Sequence, residues 1–161
     1  MLSAETTVGK YPLECVDTIE KISGRVEATQ IIDYNRHFEP TSDKEKMILS
    51  AIVLAQDLGC SGIVLFTHSG DLARATSSLR PQGCPIFAFT DDVNVLRRIN
   101  LMWGVEPFLT KFGRDSEQVI SEAIETLKAL HFANSGDKLV FLTNVMTGQR
   151  VVNSIQLRIV G

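Results

Sequence analysis

Residues 63–75, IVLFTHSGDLARA, join a short apolar run to a helix-like sequence through Thr-His-Ser-Gly. A short apolar run is typical of a buried parallel strand. A helix that opens just after such a strand points free backbone N–H groups beyond the end of the strand, where phosphate groups bind. The stretch therefore predicts a strand, an anion-binding turn and a helix, in that order.

The same alternation continues toward the C-terminus. It predicts strands over 62–66, 85–89, 105–108, 138–143 and 153–160 and helices over 69–79, 91–100 and 115–131. Strands that alternate with helices along the chain indicate βαβ units and a mainly parallel sheet. The loop NVMTGQR, residues 144–150, is short enough for an antiparallel return of the last strand. We expect an α/β fold, a three-layer domain with a mainly parallel, mixed-edge five-stranded sheet flanked by helices.

Two further helices precede the first strand. The first spans 12–28 and carries an apolar stripe at helical spacing, formed by Leu13, Val16, Ile19, Ile22 and Val26. The second spans 43–58, where Ser42 and Glu45 have the spacing of a capping box. Between the two helices, the polar stretch YNRHFEPTSDKE reads as a joint between structural units. The first helix is then left with a half-covered stripe, which favours self-association or mobility.

Composition narrows the classes of partner. The chain has 161 residues, a formal net charge of −3 and interspersed acidic and basic residues, so nucleic acid and anionic membranes are poor partners. It contains no apolar run near the roughly 18 residues of a membrane span, and its N-terminus lacks the features of a signal peptide. Its three cysteines form no CxxC pair and are typical of reduced, mostly buried thiols in a cytoplasmic protein.

Motifs for catalysis are largely missing. The chain has no GxxxxGK[ST] phosphate loop, no GxGxxG and no G-x-S-x-G, and its histidines lack metal-ligand spacing. Thr67, Ser69 and the N–H groups of 68–72 are candidate phosphate ligands, but an ordinary Thr or Ser helix cap, worth about 1 kcal/mol, explains them equally well. The pair Asp91-Asp92 fits either Mg²⁺ or complementation of a helix dipole.

Several blocks of the chain resemble the pyruvate kinase family. MLSAETTVGKYPLECV, residues 1–16, is similar to the segment MLSGETAxGxYPxEAV that closes the catalytic barrel of these enzymes. Residues 61–90 resemble the run of strand, Thr-x-Ser-Gly, helix, Arg-Pro and CPI strand, and WGVEPFL, SGDKLVFL and NSIQLRIV resemble later strands of the family. The likeness extends over essentially the whole chain, and its first block is highly specific.

The resemblance implies that the chain is a fragment. Residues 1–30 would be the last loop and helix of the catalytic (β/α)₈ barrel, and residues 31–161 the C-terminal regulatory domain. The parent would transfer phosphate from phosphoenolpyruvate to ADP, with Mg²⁺ and K⁺ held on the barrel. This piece would have no catalytic residue or cofactor of its own. Ser3 and Glu5 fall near the nucleotide-side loop, where Ala4 replaces the family's glycine.

The resemblance also implies partners, namely the chain's own catalytic domain, further copies in a homo-oligomer that is a tetramer in the parent, and an allosteric effector. The effector, a sugar phosphate or nucleoside monophosphate, would bind the turn after the first strand. The candidate contacts are Thr67, His68, Ser69, Gly70, Asp71, Leu72, Arg114 and Arg150.

The candidate turn departs from the family pattern. Members activated by fructose bisphosphate commonly read TKSGRS, whereas THSGDL places His68 at the lysine, Asp71 at the arginine and Leu72 at a hydroxyl. A carboxylate within a few ångströms of a phosphate costs about 1 to 4 kcal/mol at surface-like dielectric. We therefore expect weak, altered or absent binding of a bisphosphate.

Three functional hypotheses follow. The first is a regulatory and assembly domain of a pyruvate kinase, and the second is a free-standing module of the same fold that binds another small phosphate ligand. The third, an enzyme in its own right, has the least support because the chain lacks nucleophile, metal and nucleotide motifs.

Overall fold

The computed structural model describes residues 2–29, 38–113, 115–147 and 150–161. The chain divides into two compact units, Met1–Asp33 and Tyr34–Gly161. The predicted domain boundary between residues 30 and 31 lies outside the described residues and stays a prediction. None of the described helices combines the length and the apolar character needed to cross a bilayer.

In the N-terminal unit, residues 2–29 form two helices, α1 (Ala4–Thr7) and α2 (Pro12–Ala28). The sequence pattern predicts the bounds of α2 but misses the single turn of α1. Pro12 fits the first position of α2, where a missing N–H costs no hydrogen bond. The apolar stripe of α2 is open to solvent, from 40% exposed at Ile19 to 80% at Leu13.

The C-terminal unit alternates strands and helices as predicted. Its elements are α3 (Asp43–Asp57), β1 (Gly62–Phe66), α4 (Asp71–Ser78), β2 (Ile86–Thr90), α5 (Val93–Ile99), β3 (Val105–Leu109), α6 (Ser116–Ala129), β4 (Lys138–Thr147) and β5 (Arg150–Ile159). The strands form one five-stranded sheet in the order β3-β2-β1-β4-β5. Only the β4–β5 pair is antiparallel, which confirms the mixed edge.

The sheet lies between two helical layers. Because successive strand side chains point to opposite faces, Ile63 and Leu65 of β1 enter one core while Val64 enters the other. The first core contains apolar residues of α3, α4 and α5, and the second contains those of α6 together with Phe87, Phe89 and Phe141. These three rings are at most 1% exposed. The three-layer α/β prediction is confirmed.

The final hairpin is longer than predicted. We expected a loop over 144–150, but β4 continues to Thr147 and β5 begins at Arg150, and these two residues pair with each other. Residues 148 and 149, which separate the paired ends, lie outside the described residues. The valines at 145, 151 and 152 favour strand, and the polar residues among them led to the loop prediction.

Local capping explains where α3 begins. The Ser42 side chain accepts a hydrogen bond from the backbone N–H of Glu45 at 3.2 Å, and the Glu45 carboxylate accepts one from the Ser42 N–H at the same distance. The predicted capping box is therefore confirmed. Thr41 adds two more donors to this carboxylate, and these hydrogen bonds lower the pKa of Glu45. These contacts fix the start of α3, which lies near the carboxyl end of β1.

Candidate functional site

A cleft opens where the strand order reverses. The chain builds β1, β2 and β3 outward in one direction, and α6 then returns it to β4 on the other side of β1. In open α/β sheets, ligands bind beyond the carboxyl ends of strands at such a reversal. A cleft of about 910 Å³ lies beyond the carboxyl end of β1, beside Leu142 and Thr143 in the middle of β4, and its volume is within the size range of small-molecule sites.

The cleft has an apolar floor and a polar rim. Its lining comprises Lys44, Met47, Ile48, Phe66, Thr67, His68, Ser69, Leu72, Phe112, Gly113, Ser116, Val119, Ile120, Leu142, Thr143 and Asn153. Lys44 and Ser116 stand in the first turns of α3 and α6, so two long helices begin at the rim. The Thr143 hydroxyl bonds the Ser154 hydroxyl at 2.7 Å. The arrangement suits a small ligand with an apolar part and an anionic part.

The turn between β1 and α4 is held by its own side chains. The buried Thr67 hydroxyl accepts a hydrogen bond from the Gly70 N–H at 2.9 Å. Gly70 has φ +83°, and an added Cβ would lie 2.9 Å from Ile99, so only glycine fits here. The N-cap of α4 is Gly70, and the helix begins at Asp71 rather than at the predicted residue 69.

Ser69 and Asp71 complete this turn. The Ser69 hydroxyl donates to the Asp71 carboxylate at 2.8 Å and accepts from the Asp71 N–H at 3.3 Å. The hydrogen bond from Ser69 lowers the pKa of Asp71, and the charges of Lys44 and Arg74 lower it further. Asp71 is therefore anionic at neutral pH. Two of the N–H groups that we expected to face a phosphate, those of Gly70 and Asp71, already have partners.

His68 extends from the turn toward the neighbouring strand. Its Nδ1 lies 2.9 Å from Asp91 Oδ1, and its ring stands edge-on to Phe112 with the centroids 4.5 Å apart. The sequence reasoning missed this pair. The strand register accounts for the pair. Phe66 of β1 lies beside Phe89 of β2, and His68 and Asp91 each follow two residues later, so they become neighbours.

Asp92 has a structural role next to this pair. Its carboxylate accepts hydrogen bonds from the N–H groups of Asn94 and Val95 and thereby caps α5. Of the two alternatives left open for the acidic pair, this contact supports complementation of the helix terminus. Within the described ranges, no group of three His, Cys, Asp or Glu side chains has a metal-binding arrangement.

The structure places the predicted site residues as follows. The cleft is lined by Thr67, His68, Ser69 and Leu72. Gly70 and Asp71 instead border a smaller hollow of about 390 Å³, together with Arg74 and Arg98. Ser69 borders both cavities. Arg114 lies outside the described residues, and for Arg150 only the backbone, paired with Thr147, is described. In the N-terminal unit, the Ser3 hydroxyl donates to the Glu5 carboxylate at 3.1 Å. Sequence reasoning missed Lys44, Phe112, Ser116 and Thr143 as lining residues.

Comparison with known proteins identifies relatives of the whole chain. The family described as "Pyruvate kinase, alpha/beta domain" matches residues 45–157. The chain is 32% identical over 164 residues to pyruvate kinase isozyme A, chloroplastic, of Ricinus communis and 31% identical over 171 residues to pyruvate kinase of Staphylococcus saprophyticus. These alignments cover 95% and 100% of this chain but only 28% of each relative. The crystal structure of a pyruvate kinase from Cryptosporidium parvum has a TM-score of 0.84 at 27% identity, over 100% of this chain and 33% of that one.

Proposed function

The chain belongs to the pyruvate kinase family, and we propose that it serves as the C-terminal regulatory and oligomerisation domain of such an enzyme. The family's α/β domain occupies residues 45–157. The complete enzyme would transfer a phosphoryl group from phosphoenolpyruvate to ADP, with Mg²⁺ and K⁺ as its cofactors. We place it in the cytoplasm, where its free cysteines would stay reduced.

The cleft beyond the carboxyl end of β1 is the observation that carries the regulatory role. Its position matches the general rule for ligand sites in open α/β sheets, and the starts of α3 and α6 provide positive dipole ends at its rim. We propose that a small phosphorylated effector binds there, in contact with Lys44, Ser69 and Ser116. The engaged N–H groups and the anionic Asp71 argue against strong binding of a bisphosphate at the turn itself.

A calorimetric screen of phosphorylated sugars and nucleoside monophosphates tests the effector role. We expect at least one compound to bind with one-to-one stoichiometry. Ser116→Asp should weaken that binding about tenfold, because a carboxylate at the cleft rim repels the phosphate. An acidic residue is favourable in the first turn of a helix, so this variant should fold.

Ser121→Asp is the matched control for the screen. It makes the same substitution in α6 at an exposed position outside the cleft lining, and it should leave the affinity unchanged. Absence of binding by every compound, or an equal effect of the two variants, would contradict the effector role.

For the assembly role, the supporting feature is the edge strand β5. Its outer edge pairs with no other strand of the described sheet, and Leu157 and Ile159 are 44% and 67% exposed. An open edge strand with exposed apolar side chains is a template for a second copy of the chain. We propose that β5 contributes to the subunit contacts of a homo-oligomer, a tetramer in the complete enzyme, while the stripe on α2 contacts the catalytic domain.

Sedimentation of the chain over a range of concentrations tests this assembly. We expect concentration-dependent dimers that Ile159→Lys shifts toward monomers, because a lysine on an edge strand opposes pairing. Leu101→Lys, at an apolar residue that is 88% exposed outside β5, is the control and should leave the dimers intact. If the chain is a monomer at all concentrations, or if both variants lose the dimer to the same extent, the contact at β5 is ruled out.

A further inference from the structure

Resting on the assembly role proposed above, we infer that Pro107 closes the β3 edge of the sheet to strand pairing between copies of the chain. The described sheet has two outer strands, β3 and β5. Their outer edges differ in the backbone N–H groups that they offer to a further strand. Assembly through strands can therefore use one edge of the sheet and not the other.

Hydrogen bonds to β2 show which residues of β3 point outward. The Gly104 C=O accepts from the Ile86 N–H at 2.8 Å, and the Thr110 N–H donates to the Thr90 C=O at 2.9 Å. Because the backbone groups of successive strand residues point to opposite sides, the even-numbered residues between these two contacts face β2. The residues of β3 whose backbone groups face away from β2 are Val105, Pro107 and Leu109.

Two of these three outward positions on β3 provide no free donor. Pro107 has no N–H, and it lies at the centre of the strand, opposite Ala88 of β2. The Val105 N–H already donates to the Met102 C=O at 3.3 Å. A strand laid along this edge would find the Leu109 N–H alone. Its other carbonyl groups would lose hydrogen bonds to water without replacement, so pairing at β3 is unfavourable.

The outer edge of β5 has free donors. The Val160 N–H donates to the Asp137 C=O and the Val160 C=O accepts from the Gly136 N–H, so this residue faces β4. No described residue accepts a hydrogen bond from the N–H groups at the alternate positions of β5 that precede it. From residue 153 onward, these outward-facing positions are Asn153, Ile155, Leu157 and Ile159. This edge can pair with a strand over its whole described length.

The two edges together set the size of the assembly. When β5 of one copy pairs with β5 of another, both copies use the same edge, and two-fold symmetry closes the pair. The outer strands that remain are then both β3. Open β3 edges would join such pairs into an open-ended chain of sheets, which is the hazard that edge strands carry. Closure of β3 by Pro107 stops the assembly at two copies.

Pro107→Val tests the closure, because valine restores the missing N–H and favours a strand. Sedimentation should show assemblies larger than a dimer, with about a twofold or greater rise in average mass over the unsubstituted chain at the same concentration. Pro85→Val is the matched control and should leave the mass unchanged, because Pro85 is exposed and precedes the inner strand β2. Circular dichroism confirms that each variant is folded. Pro107→Ala restores the same N–H with a smaller side chain and should act in the same direction.

A double variant, Pro107→Val with Ile159→Lys, separates growth through the two edges from unspecific aggregation. The lysine opposes pairing at β5, so this variant should stop at pairs that are joined through β3. Assemblies as large as those of Pro107→Val alone would overturn the inference, because growth would then not pass through the two edges.

The outcomes also separate this inference from the assembly role of β5. If the unsubstituted chain forms dimers and neither Pro107→Val nor Pro107→Ala raises the mass, closure of β3 is wrong and the contact at β5 stands. If the unsubstituted chain is a monomer and the Pro107 variants form dimers, the contact at β5 is wrong and closure of β3 stands. If all of them are monomers, both proposals fail.

Discussion

The 161-residue chain, purified alone, is expected to transfer no phosphoryl group from phosphoenolpyruvate to ADP. Phosphoryl transfer depends on positioned metal ions and cationic side chains around the transferred group, and the family resemblance assigns these to the catalytic barrel. The chain aligns with only 28% of its Ricinus and Staphylococcus relatives. An assay that couples pyruvate formation to NADH oxidation, with saturating Mg²⁺ and K⁺, measures this activity directly.

A complete pyruvate kinase added to the same mixture is the positive control for that assay. Variants of the chain distinguish its own turnover from that of a copurified host enzyme, because substitutions in the chain do not change the activity of a contaminant. Glu5→Gln is the informative variant, since Glu5 falls near the family's nucleotide-side loop. Turnover that disappears in Glu5→Gln would show that the chain is an enzyme in its own right.

Asp71→Arg is expected to strengthen phosphate binding at the turn between β1 and α4 about tenfold to a hundredfold. The substitution removes an anionic carboxylate next to the turn, frees the Ser69 hydroxyl to donate to the ligand and adds a bidentate donor. Bisphosphates should gain most, because the new guanidinium adds a cation beside Ser69, which borders both the cleft and the smaller hollow. Calorimetric affinities for adenosine 5′-monophosphate and fructose 1,6-bisphosphate measure both effects.

Asp57→Arg is the charge-matched control for this prediction. Asp57 ends α3, while Lys44 in the first turn of the same helix lines the cleft. The two positions are 13 residues apart along the helix, or about 20 Å. A change in net charge alone would therefore affect both variants equally. Equal affinities in Asp71→Arg and Asp57→Arg would count against a phosphate site at the turn.

The fold was largely predictable because its strands and helices have strong local signals. The apolar run at 62–66 gives β1 with the observed bounds, and the apolar stripe at 12–28 gives α2. The β4–β5 hairpin was harder, because the polar stretch Thr-Gly-Gln-Arg, residues 147–150, interrupts the apolar residues on either side of it. A pattern of that kind fits a loop and an exposed edge strand equally well.

The candidate site was only partly predictable. Thr67, His68 and Ser69 follow directly from the strand-to-helix junction. Lys44, Phe112 and Ser116 come from elements far away in the chain that only the strand order brings together. The internal hydrogen bonds of the turn depend on the left-handed backbone of Gly70, which no periodic pattern reveals.

The central claim is that a phosphorylated effector binds in the cleft beyond the carboxyl end of β1. The most direct test is a two-dimensional ¹H–¹⁵N NMR titration of the labelled chain with adenosine 5′-monophosphate. We predict saturable shifts of the amides of residues 67–69, 72, 112–113 and 116, which line the cleft, and of residues 70–71 in the adjoining turn, with little change at the opposite ends of the strands. Shifts confined to residues outside the cleft, or no shifts at millimolar ligand, would contradict the account.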